Sequence, residues 1–496
     1  MGTDDDSDSA DFVVKIRDAA PASRVMVVAV MVSMVAFLDS TVVNLSLPAT
    51  TRELGGGMGL QQWVVDGYLL ALGAMILPGG SISDLLGRVP VVRFGLVAFG
   101  VGSVLAATAP SPAILITARV VQGLGAAFLV PGSLAMINAS FDSAHQPAAI
   151  GAWTAWTGTA FALGPLLGGL AVDLLSWRWI YALSAIPMVI GFALTFWMCP
   201  MAAPSEHGRV DLAGGLLSAT GLAATVYALI ESQRRGWVDP IVSGAFIVGV
   251  TALIGFIRWQ RRAPHPMVPL HLFSSRNFAG GNLATAFVYG GLALGSLIIA
   301  LYTQEVVGYS ATAAGLVTLP IPILSFLFAR HVGDAATRIG SRVFLVVGPT
   351  IAGAGLLLIR PTAHGSNVVA QLLPGMVLLA TGLVVTVTPL TSVCMSAVDP
   401  IHGGIASAIN NAVSRLAGLI AVACMGLIAA GTLTDGSFLR LVQVSAALFF
   451  LGAAVCAVTI TNPAVRAEPL PCGVAALCRD RAGAQPALAS GQSSPG

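Results

Sequence analysis

Long apolar runs separated by short polar breaks recur along the whole chain. The first opens at Val25 and closes at Leu47-Pro48. The others fall at about 60–82, 91–109, 112–138, 147–171, 177–199, 211–230, 241–257, 278–304, 311–330, 343–359, 368–390, 403–430 and 438–460. A helix needs roughly 20 apolar residues to cross a hydrocarbon core of about 30 Å. The pattern therefore predicts an all-α polytopic membrane protein with about 14 transmembrane helices. The ends read as disordered tails: 1–23 is acidic and then mixed, and 463–496 is rich in Pro, Ala, Gly and Ser.

Composition agrees with the pattern. Of 496 residues, 56% are hydrophobic and only 9% are charged, against roughly 25% charged in a soluble domain. The lipid bilayer is thus the first partner. The net charge of +2 points to no particular partner, and no nucleic-acid partner is expected. Lys15 is the sole lysine, so no Gly-Lys pair exists for a phosphate loop. No ATP-binding subunit is implied, and no cofactor is expected. The six cysteines fit no zinc spacing and imply no disulfide framework. Asp4, Asp5, Asp6 and Asp8 precede a first run too long for a signal peptide, so no cleavable leader is expected.

An even number of spans puts both termini on one side. Arg24, Arg88, Arg93, Arg209, Arg258, Arg261, Arg262, Arg276, Arg330, Arg338 and Arg342 fall on that side, with Lys15 and Arg17. The other side holds Arg52, Arg178, Arg234, Arg235, Arg360 and Arg440. Basic loops stay inside, so both termini are expected in the cytoplasm and the chain in the plasma (cell inner) membrane.

A few charges lie inside the runs. Asp39 sits about midway along the first one, and Asp66 interrupts the second. A carboxylate at that depth costs about 2.5–3.5 kcal/mol on insertion scales and marks a proton or cation site. Arg119 is a cation within the fourth run and needs a partner or water. The plainer readings make Asp39 an acid pinned by an arginine for packing, Asp66 a hydrated, passive acid near the outer end of its helix, and Arg119 a structural tether between helices. Arg415 shares a helix face with Ser407, Asn410, Asn411 and Ser414, which suits a cavity wall. Asn44 and Glu305 are further candidates for that wall, Glu305 near the end of its run. Gly158, Gly164, Gly168 and Gly169 follow small-residue spacing around Pro165, which suits close helix packing or a hinge.

The turn Ser83-Asp84-Leu85-Leu86-Gly87-Arg88 has an echo in Gly333-Asp334 through Arg338-Ile339-Gly340-Ser341-Arg342. Each follows the second span of its half. Two six-helix halves would produce this repeat, with the runs at 211–257 as an insert. The expected layout is a tail 1–23, a half 24–200, a linker with two extra helices 201–265, a second half 266–462 and a tail 463–496.

These signatures together resemble the major facilitator superfamily and, within it, the fourteen-helix drug:proton antiporters. Leu38-Asp39-Ser40-Thr41-Val42-Val43-Asn44 with Leu47-Pro48 is similar to that branch's first-helix signature. Gly80 to Arg88 is similar to the superfamily's loop signature, although Val89-Pro90 replaces a second basic residue. Arg119 with Gln122-Gly123 and Gly125, and Gly158 with Gly164-Pro165 and Gly168-Gly169, resemble the fourth- and fifth-helix signatures. Trp63-Val64-Val65-Asp66 and Trp177-Arg178-Trp179 also match, while Ser184 stands where Asn is usual.

The resemblance implies the major facilitator fold and no enzyme activity. It implies antiport, with a proton entering as a drug leaves, driven by the proton gradient. Asp39, Asp66 and Arg119 would carry the coupling. Asp84, Gly87 and Arg88 would form a cytoplasmic gate. The expected cargo is an amphipathic or cationic drug or toxic small molecule. Two alternatives stand beside it: a dedicated exporter of one natural product or lipid-like metabolite, and, more remotely, a membrane-embedded enzyme or sensor.

Overall fold

A computed structural model describes residues 5–141, 146–196, 211–360, 368–399 and 402–462. Side chains before Arg24, and scattered later ones such as Ser40 and Asp84, fall outside that description. The helices are α1 (Asp5–Leu54), α2 (Gly57–Leu86), α3 (Arg88–Ala107), α4 (Pro112–Ser140) and α5 (Gln146–Leu174). Then come α6 (Arg178–Thr195), α7 (Leu212–Arg235), α8 (Pro240–Gln260), α9 (Arg276–Glu305) and α10 (Ala311–Ile339). The last are α11 (Ser341–Leu358), α12 (Val368–Ser396), α13 (Gly403–Ala429) and α14 (Asp435–Thr459). All 14 contain a stretch long and apolar enough to cross a membrane. Three are interrupted: α6 at Ser184, α10 at Leu319 and α13 at Cys424. In α10 the cause is Pro320, which lacks the N–H that would continue the ladder.

Polar residues set many helix ends. Asp211 caps α7 through the Gly214 N–H at 2.8 Å. Asp239 caps α8, with Pro240 at the first helical position. Thr434 and Ser437 form a reciprocal capping pair on α14.

Helices outrun the apolar runs at several points. The backbone of α1 is helical from Asp5, so the stretch expected as a disordered tail continues the helix as far as it is described. Glu231 to Arg235 was expected to break the chain and instead closes α7. Glu231 pairs with Arg234 at 2.8 Å and Arg235 at 3.5 Å, one turn away. Likewise α10 continues past Arg330 to Ile339. Charges end an apolar count but not a helix, because the backbone ladder persists once side chains reach polar surroundings. The break 200–209 falls outside the described residues, as does the tail 463–496.

The two halves repeat. Between α2 and α3 stands Gly87, with φ 88° and ψ 150°; between α10 and α11 stands Gly340, with φ 99° and ψ 136°. Only glycine takes this conformation at no steric cost. The packing repeats as well: α3 on α4, α2 on α4 and α1 on α5 correspond to α11 on α12, α10 on α12 and α9 on α13. The halves touch through α2 on α13 and α5 on α10, an equivalent pair under the same relation. The insert is a hairpin in which Asp211 accepts from Trp259 Nε1 at 2.8 Å and Gln260 Nε2 at 2.7 Å. Its α7 packs on α2, while α8 is exposed along most of its length. Asp211→Ala should lose the cap and both indole and amide bonds, lowering stability by about 2–3 kcal/mol. A thermal melt of the purified protein checks this.

Several ties join the halves. On the side away from the N-terminus, Gln61 donates to Glu305, and Asp173 accepts from the backbone N–H groups of Ala311 (3.0 Å) and Thr312 (2.8 Å). Leu45 packs there with Ala300, Ala311 and Ala314. Among the described residues, a side chain added at Gly80 of α2, Gly158 of α5, or Gly403 or Gly404 of α13 would meet nothing within 4 Å. The ties named here between the halves thus lie at the far end of the bundle.

Candidate functional site

Asp39 lies at the middle of the 31-residue span Arg24–Leu54. Arg119 reaches it from α4, and both are almost fully enclosed, at 1% and 2% exposure. Arg119 Nη1 donates to Asp39 Oδ1 at 2.8 Å and Oδ2 at 3.0 Å, and to Gln122 Oε1 at 2.8 Å. Its Nε donates to the Val64 carbonyl at 2.9 Å. Gln122 Nε2 donates to Ser103 Oγ at 2.9 Å, which turns the amide oxygen toward Arg119. The guanidinium carbon lies 4.5 Å from the Tyr68 ring centre and 5.9 Å from that of Tyr181. A buried ion pair survives only where further hydrogen bonds satisfy its charges, and this one has them.

The signature glycines let α4 come this close. A methyl at Gly123 would overlap the Tyr68 carbonyl, and one at Gly125 would stand 2.6 Å from Phe99 N. Backbone atoms cannot turn away as a side chain can, so both positions require glycine.

Asp66 stands apart from that pair. It is fully buried, and neither carboxylate oxygen has a hydrogen-bond partner among the described residues. It lies one turn after Gln62, which donates to the carbonyls of Val422 (2.9 Å) and Ala423 (3.0 Å) where α13 breaks. Gln62 Oε1 accepts from Gln233 of the insert at 3.1 Å. Asp66 and Cys424 are within electrostatic reach. The acid therefore faces the α2–α13 seam between the halves.

On α5 the glycines divide by position. A methyl at Gly164 would overlap Thr41 Oγ1, and one at Gly168 would overlap Val42, so both bring α5 against α1. At Gly169 a methyl would stand 2.5 Å from Thr312 Cα, across the seam. A methyl at Gly315 of α10 would overlap the Pro165 carbonyl. Gly158 departs from the expected packing role: among the described residues, an added methyl there would meet nothing within 4 Å.

At the expected gate, Gly87 makes the turn and Arg88 opens α3. The Asp84 side chain falls outside the described residues, so the Asp84–Arg88 latch is not visible. Among the expected cavity residues, Asn44, Asn411 and Arg415 are half-buried. Asn410 is half-buried too and makes several contacts. Its amide donates to Asn282 Oδ1 (3.2 Å), Thr285 Oγ1 (2.9 Å) and Cys394 Sγ (3.5 Å), which ties α13 to α9 and α12. Glu305 is exposed at the far rim and held by Gln61, rather than lining the cavity.

Sequence reasoning passed over the far-side ties. Glu53 accepts from Arg178 Nη1 at 2.5 Å and Trp177 Nε1 at 2.6 Å, while Arg178 Nη2 reaches the Ala109 carbonyl at 3.0 Å. Gln61, Gln62 and Asp173 were also missed. Their signal was polarity at the edge of an apolar run, which ordinary helix ends share.

Two related six-helix sets with an inserted hairpin, enclosing ionisable groups at mid-depth, have the architecture of a multi-pass membrane transporter. The chain belongs to the Major Facilitator Superfamily, whose family model matches residues 29–422. It is 34% identical over 406 residues to the multidrug resistance protein Stp of Mycobacterium tuberculosis (strain CDC 1551 / Oshkosh), spanning 80% of this chain and 74% of that protein. It is 32% identical over 414 residues to the puromycin resistance protein pur8 of Streptomyces alboniger (82% and 81%). It is 31% identical over 448 residues to the cephamycin export protein CmcT of Amycolatopsis lactamdurans (88% and 91%). Among solved structures, the partially occluded inward-open xylose transporter XylE from E. coli shares the fold with a TM-score of 0.62 at 13% identity, covering 91% of this chain and 100% of that one.

Proposed function

We propose that this transporter is a proton-coupled antiporter that exports amphipathic drugs or toxic small molecules by alternating access. The buried Asp39–Arg119 pair carries the reading, because a carboxylate paired with a single cation at mid-depth is a group suited to proton exchange. The resistance proteins among its relatives support the cargo class. The asymmetry of basic loops supports an inner-membrane location with both termini in the cytoplasm. The near side, with the N-terminus, is then the cytoplasmic side. The relative named as a cephamycin exporter, which matches most of both chains, favours a narrower second reading: export of one natural product.

In this reading Asp39 and Asp66 act at different stages. Asp39 is ion-paired with Arg119, and in this reading a proton arriving at Asp39 replaces the guanidinium and frees it. Asp66 is fully buried, with no hydrogen-bond partner among the described residues to offset a charge, so in this reading closure of the far side requires it to carry a proton. Asp66→Asn supplies a neutral group of similar shape. It should close without a proton and flatten the pH dependence of transport over a series from acid to neutral pH, with no loss of thermal stability. Transport rates across that range check it. An unchanged pH profile would remove Asp66 from the coupling.

Efflux of a chemically diverse panel from cells with and without the protein, repeated with an uncoupler, tests the function. Uncoupler-sensitive efflux of several scaffolds is expected. Efflux of one compound alone would favour the narrower reading. Efflux that ignores the uncoupler would refute proton coupling.

A further inference from the structure

Arg415 is a second arginine inside the bundle, and its setting differs from that of Arg119. It lies twelve residues into α13, counted from Gly403, so roughly 18 Å of helix separates it from the near end. The next residue, Leu416, packs on Gly73 of α2, which puts this turn of α13 where the halves converge. Arg415 is half-buried. Among the described residues it has no ion pair and no hydrogen bond. Two phenols are within its electrostatic reach, Tyr68 from α2 and Tyr289 from α9. Asn411 lies one turn earlier on the same face. A guanidinium offers five donors in a planar fork suited to a carboxylate. At this depth an unpaired one is costly unless a passing ligand or water satisfies it.

We propose that Arg415, with the hydroxyls of Tyr68 and Tyr289, forms an anion subsite that binds the acidic group of an amphipathic substrate. This rests on the export reading above and narrows it: the favoured cargo is an apolar body bearing a carboxylate or similar acid, rather than a cation. Tyr68 gives the subsite a second consequence. Its ring lies on the Arg119 guanidinium that holds Asp39. An acid seated at Arg415 therefore sits one side chain from the proton-linked pair, and cargo and proton meet through Tyr68.

The test uses the full-length purified protein and two matched probe pairs: 2-naphthoate with 2-naphthamide, and indole-3-acetate with indole-3-acetamide. Each pair shares one apolar body and differs in charge. Binding is read calorimetrically in chloride and again in gluconate buffer, which separates an organic acid from a resident inorganic anion. Wild type should prefer the acid by about ten-fold or more in at least one pair. Arg415→Gln should bind acid and amide equally, with an unchanged melting temperature because no protein partner is lost. Arg415→Lys should keep a preference for the acid. No preference in wild type, or a preference that survives in Arg415→Gln, overturns the subsite. Suppression of acid binding by chloride, with chloride itself binding in an Arg415-dependent way and no acid preference in gluconate, assigns the site to an inorganic anion and also overturns it. Loss of uncoupler-sensitive efflux in the wild type would instead strike the export reading and leave these binding results standing.

Discussion

Asp39→Asn is expected to abolish uphill export while leaving substrate binding intact. One proton moving down 100 mV releases about 2.3 kcal/mol, enough to sustain roughly a 50-fold substrate gradient. Asparagine can accept a bond from Arg119 but cannot exchange the proton, so the gradient should fall to equality. Stability should fall as well. Removing one partner of a buried pair costs about 3–5 kcal/mol by leaving the other charge uncompensated, and here the amide offsets part of that. The double variant Asp39→Asn with Arg119→Gln removes both charges. It should regain stability without regaining transport. Steady-state accumulation in vesicles and thermal melts read the two effects separately. If stability and transport return together, the pair is a tether and not a coupling device.

Gly169→Val should be the most damaging single change on α5. The added group would collide with the backbone of Thr312 and Ala311 across the seam, where no side-chain rotation gives relief. Overpacking of this kind costs about 1–3 kcal/mol, and it falls only on the state sealed at the far side. Each 1.4 kcal/mol shifts that equilibrium about ten-fold, so transport should fall by about ten- to a hundred-fold. The protein should rest with its far side open, which thiol labelling of a cysteine placed at Thr312 would report. Gly158→Ala is the control. It meets nothing within 4 Å among the described residues and should leave this conformation undisturbed. Equal labelling of wild type and Gly169→Val would contradict the seal.

How much of this was legible beforehand depends on the physics involved. Apolar run length located every helix, because the bilayer imposes one length on all of them. The echo of the Gly87-Arg88 turn at Gly340 to Arg342 revealed the repeat, because both turns need a residue with positive φ. The cost of buried charge singled out Asp39, Asp66 and Arg119 without showing which two would pair. Arg119 chose Asp39 because α4 crosses α2 and α3 at glycine contacts and packs on α1, a three-dimensional fact. Spacing could not separate Gly158 from Gly164, since an added methyl would meet nothing within 4 Å among the described residues at one position and Thr41 at the other. Asn410 and Arg415 are five residues apart, about 140° around the helix; Asn410 is tied into the C-terminal half, while Arg415 has no hydrogen bond among the described residues. The far-side ties at Asp173, Gln61 and Glu53 join residues more than a hundred positions apart, and polarity at a run's edge does not reveal its partner.

Coupling through Asp39 is tested most directly by recording proton and substrate flux together in proteoliposomes. The substrate is a compound whose efflux from cells proved uncoupler-sensitive. With wild type, adding it on the near side should drive protons the opposite way, and an imposed pH gradient should accumulate it. With Asp39→Asn, exchange of labelled for unlabelled substrate should continue while substrate-driven proton movement disappears. Proton movement of wild-type size in Asp39→Asn would contradict the central role given to that carboxylate.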